Sequence, residues 1–328
     1  VDEVMDAFQR DDFVKVKALM QVYQNRPQLT LHRLRRLEDH EVDFADFFPC
    51  SERDPEEMFA ELRGVIAGIG NEHLRALLES IFSDERLAAA YKIAPAAKNI
   101  HHARRGGLIE HVLSLCELCQ AMAAHYKNID RDLLLTGAIL HDIGKTEELS
   151  YTRSFGYSAD GQLLGHIVIG LRMVGSKVDR MPSFPPKLRT LVEHLIVSHH
   201  GVLEFGSPKV PAFPEALLLH HLDNLDSKME AMRAALSRED PSDSEFTPWI
   251  VPLDRILLRR ERYLAEAAPA AQKPEPAPDR PAEPPSKSAI EENTNPPEPK
   301  KPEERPVPAT PFGEKLQAVL ASNSEPEA

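Results

Sequence analysis

Histidines and aspartates recur between residues 111 and 223 in an order that suits metal chemistry. Imidazole nitrogens and carboxylate oxygens together are typical ligands of divalent transition metals. Helical bundles build such centres by projecting ligands inward from several helices. Taken alone, any one of these histidines is more often an ordinary hydrogen-bonded residue. The full set indicates a metal centre, and its members are His111, His141, Asp142, His166, His199, His200 and Asp223.

The elements that must position these residues are helices, because apolar residues recur around them at helical spacing. Asp54-Pro55-Glu56-Glu57 has the residues of a capped helix start. Residues 149–161 contain aromatic residues and glycines that favour a small hairpin or an irregular excursion. The pattern predicts helices over 55–68, 71–82, 84–92, 107–126, 130–142, 162–180, 186–200, 214–237 and 252–265.

The clear β signal lies in residues 13–37, where apolar and polar residues alternate with a period of two. Asn25-Arg26-Pro27 predicts a turn between two strands. A lone hairpin is marginally stable in water, so this one must pack against another part of the protein.

Composition limits the class of protein. The 328 residues carry a formal charge of −13, which argues against broad non-specific coating of DNA. It does not exclude an enzyme acting on nucleic acid, because bound cations supply positive charge locally. The three cysteines are too few for a disulfide framework, and Cys116 and Cys119 are interpreted as small, buried or half-buried helix residues.

The fold class is predicted as mainly α, in three parts. A β-containing segment covers residues 1–50 and a helical domain covers 51–265. Residues 266–328 form a tail, and 13 of the chain's 28 prolines lie in 267–310. Such a composition predicts disorder. An amphipathic patch after it, at Phe312–Leu320, is either a docking helix or a frayed end.

The order and spacing of the metal residues resembles the HD superfamily of metal-dependent phosphohydrolases, over roughly residues 100–230. The resemblance implies two ions that share Asp142. Mn²⁺ is favoured, and Mg²⁺, Fe²⁺, Co²⁺ and Ni²⁺ are alternatives. The first ion would be bound by His111, His141, Asp142 and Asp223, and the second by Asp142, His166 and either His199 or His200.

Such a centre predicts hydrolysis of a phosphate ester. Two ions about 3.5–4 Å apart stabilise both the attacking and the leaving oxygen and activate the attacking water. Lys145 is expected to contact a phosphate oxygen, or else to be a solvated cation at a helix end. His102, with His101 beside it, either contacts phosphate or donates the leaving-group proton, or is structural. His220 and His221 are interpreted as supporting or packing residues.

Four stretches resemble the YhaM-type 3′-to-5′ exoribonucleases. The family has an N-terminal OB-fold before its HD domain and removes nucleotides from single-stranded RNA, and often DNA, with manganese preferred. The resemblance implies these properties for this chain. The stretches are His101–His111, Gly161–Gly170, Ser198–Pro208 and Pro214–Met229.

The hairpin at 13–37 is similar to the closing strands of that OB-fold, which needs about five strands. The sequence therefore predicts an incomplete OB-fold, with a start that is truncated or a barrel that is degraded. Cations and an aromatic residue on the hairpin suit a single-stranded nucleic acid, although a solvated polar face is an alternative. The candidate contacts are Tyr23, Arg26, Arg33 and Arg35.

Other functions stay open at this point. An HD-type nucleotide phosphohydrolase would use the same centre. A cyclic-dinucleotide phosphodiesterase is a further alternative, but this chain lacks the Gly-Tyr-Pro signature of that group after His200. A nucleic-acid-binding regulator is the non-enzyme alternative, and a di-iron oxygenase is least favoured. No apolar run is long enough for a bilayer, so no membrane partner is expected and a cytoplasmic location is predicted. Homo-oligomerisation and a partner for the tail are left open.

Overall fold

The computed structural model describes residues 8–265 apart from residues 10, 24–25, 98–103, 151–155, 239–241 and 243. These residues form a mainly helical protein with an N-terminal β-hairpin, which confirms the predicted fold class. The helices are α1 (Pro55–Ala67), α2 (Glu72–Phe82), α3 (Glu85–Ile93), α4 (Gly107–His125), α5 (Arg131–Leu140), α6 (Lys145–Glu148), α7 (Ala159–Val178), α8 (Pro186–Ser198), α9 (Pro214–Leu236) and α10 (Arg260–Leu264). The predicted tail, 266–328, and the residues His101 and His102 lie outside the described residues.

The N-terminal hairpin consists of the antiparallel strands β1 (Val14–Tyr23) and β2 (Arg26–Arg36). A register shift between Lys17 and Ala18 marks a β-bulge. The second strand begins earlier than predicted, since Tyr23 already pairs with Arg26. Within the described residues this sheet has two strands, so the OB-fold expected from the family resemblance stays a prediction.

Side-chain caps explain where several helices begin. Asp54 accepts hydrogen bonds from the backbone N–H groups of Glu56 and Glu57, and Pro55 takes the first helical position, as the sequence predicted. Asn71 and Asp130 cap α2 and α5 in the same way. These caps fix the phase of each helix, and so fix which residues face the core.

Helix α5 is the centre of the bundle. Its residues from Leu133 to Leu140 are all buried, and it contacts α4, α8 and α9. A Cβ atom on Gly137 would lie 2.9 Å from Leu195 of α8 and 3.0 Å from Leu219 of α9. This close approach carries the carboxyl end of α5 into the interior of the protein.

A small hairpin follows α6, which is one of the two alternatives that the pattern at 149–161 left open. Strands β3 (Leu149–Ser150) and β4 (Gly156–Tyr157) pair antiparallel. Helix α7 then begins with a Ser158 cap and is interrupted at Gly165, whose φ of 72° and ψ of 161° are non-helical. Such a conformation is essentially restricted to glycine, and it sets the direction from which His166 approaches the core.

The predicted helix over 252–265 is wrong for most of its length. Val251–Leu253 forms a short 3-10 turn, Asp254 has a φ of 53°, and helical residues resume only at Arg260. The chain reverses at Asp254, so that Ile250 and Thr247 donate hydrogen bonds to Arg255 and Leu257. The apolar spacing that indicated a helix instead places Leu253 and Leu257 in a small satellite core against α9.

The described helices and the cysteines of α4 bear on the classes of protein that the composition argued against. None of the described helices has the length and apolar character required to cross a lipid bilayer. Cys116 and Cys119 are buried in α4, as predicted. Burial raises the pKa of the Cys116 thiol to about 12, so this cysteine is a packing residue rather than a nucleophile.

Candidate metal centre

The carboxyl end of α5 places His141 and Asp142 at the centre of the site. His141 is fully buried and Asp142 is 3% exposed. An isolated buried carboxylate is strongly disfavoured unless cations or hydrogen-bond donors surround it. The neighbours of Asp142 therefore decide what the site can hold.

One group of ligand atoms forms between α4, α5 and α9. His111 Nε2 lies 3.2 Å from Asp223 Oδ1, and His141 Nε2 lies 3.8 Å from the same oxygen. His141 Nε2 is also 3.2 Å from Asp142 Oδ2. One ligand atom from each of His111, His141 and Asp142 falls within 4.8 Å of the others, which is close enough for all three to contact one cation.

A second group forms on the other side of Asp142. His166 Nε2 and His199 Nε2 lie 3.4 Å and 3.6 Å from Asp142 Oδ1. One ligand nitrogen from each of His166, His199 and His200 lies within 4.8 Å of the others. Asp142 thus turns one oxygen toward each group, and the two groups together include every residue that the sequence predicted as a metal ligand apart from Asp223, which contacts the first group.

Both members of the His199–His200 pair lie at this second group. His199 is 1% exposed and packs beneath Asp142. His200 is half-buried, and its ring lies 5.1 Å from that of His166 between centroids. The sequence left open which of the two would bind, and the structure brings both within reach.

The Nδ1 atom of each histidine at the site contacts an oxygen on the outer side of the ring. Since a backbone carbonyl or a carboxylate only accepts, Nδ1 must donate, and in a neutral imidazole Nε2 then carries the lone pair. The five contacts are His111 to Asp226 at 2.7 Å, His141 to Ala138 O at 2.9 Å, His166 to Glu148 at 3.2 Å, His199 to Ile196 O at 2.7 Å and His200 to Phe205 O at 2.7 Å.

As a consequence, the Nε2 lone pairs of the neutral imidazoles point into the site, where they face carboxylate oxygens. Among the described residues, His141 Nε2, His166 Nε2, His199 Nε2 and Asp142 Oδ1 are buried and make no hydrogen bond. Such orphaned buried acceptors are costly, and a cation placed between them satisfies them together. The donor set of imidazole nitrogen and carboxylate oxygen fits a divalent transition metal.

The electrostatics of the site agree with a cation. Burial raises the pKa of Asp142, but Lys145 and His141 outweigh it and hold that pKa well below its usual range. Burial also raises the pKa of Asp223, but the hydrogen bond to His111 and the charges of His141 and His111 together outweigh it and lower that pKa. Burial alone would lower the pKa of His111, but Asp223 and Asp226 raise it to about 9, so its Nε2 is protonated at neutral pH and an ion that binds there displaces this proton. Both aspartates are therefore ionised at neutral pH.

Lys145 begins α6 and donates a 2.6 Å hydrogen bond to Asp142 Oδ2. Its side chain is 13% exposed, so it lies at the edge of the site. It is therefore not the solvated helix-end cation that the sequence allowed as the alternative. His102, the third predicted catalytic residue with Asp142 and Lys145, lies outside the described residues. His220 donates from Nδ1 to the backbone carbonyl of His199 at 2.8 Å, which agrees with a supporting role.

Two carboxylates at the site were missed by the sequence analysis. Asp226 accepts hydrogen bonds from His111 Nδ1 and from the hydroxyl of Ser114. Glu148 accepts one from His166 Nδ1. Asp226 lies three residues after Asp223, so it shares the inward face of α9, and this spacing was a usable signal. Glu148 had no such signal, because its contact with His166 depends on the hairpin and on the interruption of α7.

The predicted nucleic-acid residues lie on the hairpin, away from the metal groups in sequence. Because side chains alternate between the two faces of a strand, the register places Tyr23, Arg26, Arg33 and Arg35 on one face, together with Lys15 and Lys17, which the sequence analysis had not included. Arg35 is paired with Glu41 at 2.7 Å. The other face carries mainly apolar side chains.

Comparison with known proteins agrees with this geometry. Residues 108–228 match the family model of the HD domain. The matched segment begins three residues before His111 and ends five residues after Asp223, so it contains every candidate metal ligand. HD domains are typically metal-dependent hydrolases, and the match over these residues therefore supports a metal-dependent phosphohydrolase in general. The comparison with solved structures found no match to the chain.

Proposed function

We propose that this protein is a metal-dependent exonuclease that hydrolyses the phosphodiester bonds of single-stranded RNA, and in some cases DNA, from the 3′ end. The products are nucleoside monophosphates. The HD domain supports phosphate-ester hydrolysis in general, and the finer assignment rests on the hairpin. One face of the hairpin is basic and carries the exposed Tyr23. This arrangement favours a single-stranded polyanion as the substrate over a free nucleotide.

The residues of the centre divide the work. Two bound divalent ions, with Mn²⁺ favoured, would supply Lewis-acid stabilisation of phosphate charge and an activated water. His111, His141, Asp142 and Asp223 would hold the first ion, and Asp142, His166, His199 and His200 the second. Lys145 lies beside Asp142 at the solvent-facing edge, where its ammonium group would bind a non-bridging phosphate oxygen as a point charge.

Proton transfer to the departing 3′ oxygen needs a donor. His102 is proposed for this role or for a phosphate contact, on the basis of its position in the sequence just upstream of the metal residues. The hairpin is proposed to belong to an OB-fold, on the basis of the family resemblance alone. Neither proposal affects the assignment of the metal ligands.

The direct test uses purified protein, Mn²⁺ and single-stranded RNA labelled at its 5′ end. The expected result is a ladder that shortens from the 3′ end, with release of nucleoside monophosphates. Nucleoside triphosphates and a cyclic dinucleotide are incubated in parallel. Rapid hydrolysis of either of these, with intact RNA, would replace the proposal with a nucleotide phosphohydrolase or a cyclic-dinucleotide phosphodiesterase. Binding of RNA without any hydrolysis would favour a regulator.

A hairpin variant tests the polyanion surface separately. Tyr23→Ala combined with Arg33→Gln should raise KM for single-stranded RNA about tenfold, because stacking on an aromatic ring contributes roughly 1–3 kcal/mol per base. The hydrolysis of a small phosphodiester such as bis(p-nitrophenyl) phosphate should be unchanged, since this molecule has no chain of nucleotides to bind along the hairpin. Steady-state kinetics on both substrates provide the measurement.

Arg35→Gln is the matched control for that variant. Its guanidinium is already neutralised by Glu41, so Arg35→Gln should change KM for RNA less than the combined Tyr23→Ala and Arg33→Gln variant does. An equal effect on the small diester and on RNA would mean that the hairpin acts through the stability of the protein and not through substrate binding.

A further inference from the structure

The interruption of α7 makes His166 the first residue of a new helical segment. Gly165 adopts a φ of 72° and a ψ of 161°, and the residues after it continue as a helix to Val178. The N–H groups of a first helical turn lack partners within the helix. The backbone N–H of His166 donates to Glu148 Oε1 at 3.0 Å, so a side chain from α6 caps this segment.

The same oxygen also contacts the ring of His166. Glu148 Oε1 lies 3.2 Å from His166 Nδ1. One carboxylate oxygen therefore fixes both the backbone and the imidazole of a single residue. Because Nδ1 must donate to it, Nε2 is left as an acceptor, and this atom is buried and lies 3.4 Å from Asp142 Oδ1.

The position of Glu148 is itself fixed on three sides. Its backbone N–H donates to Gly144 O at 2.9 Å, and its carbonyl accepts from Ser158 N at 2.9 Å. Gly161 approaches so closely that a Cβ atom there would lie 2.1 Å from Glu148 O. The side chain is 11% exposed. These contacts fix the backbone of Glu148, and the His166 N–H holds its carboxylate, without any ion.

A different carboxylate serves the first group of ligands. Asp226 contacts His111 Nδ1 at 2.7 Å and accepts from Ser114. It lies on α9, whereas Glu148 lies on α6, and the two belong to opposite sides of Asp142. The two ligand groups thus have separate orienting carboxylates.

We infer that Glu148 is a positioning residue that aims His166 Nε2 at the second ion, and that it acts on that ion without affecting the first. This inference rests on the proposed two-ion centre. It assigns Glu148 no contact with substrate. Its prediction is selective: the loss of the Glu148 charge weakens one of two ions.

The experiment is a titration of the ion-free full-length protein with Mn²⁺, followed by isothermal calorimetry and by the electron paramagnetic resonance signal of free Mn²⁺. The wild type is expected to bind two ions. Glu148→Gln keeps an oxygen that can cap the His166 N–H but removes the charge, and should weaken one ion by about 10–100-fold. The affinity for the other ion should be unchanged.

Glu147→Gln is the matched control, because Glu147 is the neighbouring residue and is exposed. It should bind both ions with wild-type affinity.

Asp226→Asn is the complementary variant and should weaken the other ion instead. Imidazole ¹⁵N spectra of the ion-free protein provide a readout that does not depend on binding, since Glu148→Gln should reduce the Nδ1–H tautomer of His166.

The outcomes separate this inference from the proposed function. Two ions of unchanged affinity in Glu148→Gln, or equal weakening of both ions, would overturn the inference. Fewer than two ions in the wild type would also overturn it. Selective weakening together with intact RNA would support the inference while refuting the exonuclease.

Discussion

Asp142→Asn should abolish turnover and remove bound metal at the same time. Asp142 turns Oδ1 toward His166 and His199, and Oδ2 toward His141 and Lys145. A single carboxylate thus contacts both groups of ligands, and its amide replacement carries no negative charge. We expect the rate to fall by at least about a thousand-fold, which corresponds to roughly 4 kcal/mol of lost transition-state stabilisation.

Metal analysis and kinetics on the same sample provide the measurement. Asparagine is preferred to alanine because it keeps the volume of the side chain and leaves Lys145 an oxygen to contact. Asp160→Asn, at an exposed position early in α7, is the control and should be fully active. An Asp142→Asn protein that binds two ions or hydrolyses its substrate would refute the shared role of this carboxylate.

Gly144→Ala should destabilise the protein and disrupt the second group of ligands. Gly144 has ordinary helical angles, φ −62° and ψ −20°, so the reason is space and not backbone strain. A Cβ atom there would lie 2.0 Å from His166 O and 2.7 Å from Gly170 N. These are backbone atoms of α7, which cannot rotate aside as a side chain would.

The expected loss in the free energy of unfolding is about 3 kcal/mol, at the upper end of ordinary overpacking. That corresponds to a fall in Tm of roughly 6–12 °C for a domain of this size. Displacement of α7 also moves His166, so the affinity for one ion should fall as well. Calorimetric unfolding and the Mn²⁺ titration measure the two effects.

Gly64→Ala is the matched control, because a Cβ atom on Gly64 in the middle of α1 meets nothing within 4 Å. Alanine is a better helix former than glycine, so this variant should gain about 0.5–1 kcal/mol. If Gly144→Ala were as stable as Gly64→Ala, the close packing of α6 against α7 would have to be abandoned.

The sequence predicted the helices well wherever apolar spacing and capping residues agreed. Asp54 and Pro55 fixed the start of α1 to the residue, and the alternation at 13–37 predicted the hairpin. The prediction failed at 252–265 because spacing was the only signal there. The reversal at Asp254 depends on pairing between distant backbone groups, which a local pattern does not record.

The residues of the candidate metal centre could be named from the sequence because each lies at a helix end or on a buried helix face. The carboxylates that orient their imidazole rings were harder to predict from the sequence. Asp226 had a helical spacing signal, whereas Glu148 reaches His166 only after a hairpin and a glycine interruption have folded. The family resemblance already implied that two ions share Asp142, but which oxygen faces which group followed only from the folded structure.

The way in which the imidazoles are anchored has a consequence for how this centre can change over evolutionary time. His141, His199 and His200 are fixed by peptide carbonyls, and substitution of a side chain does not delete a carbonyl group. His111 and His166 are fixed by Asp226 and Glu148, which a point mutation can replace. Divergence in metal preference among descendants of this chain should therefore concentrate at positions 148 and 226, while the ligands themselves stay constant.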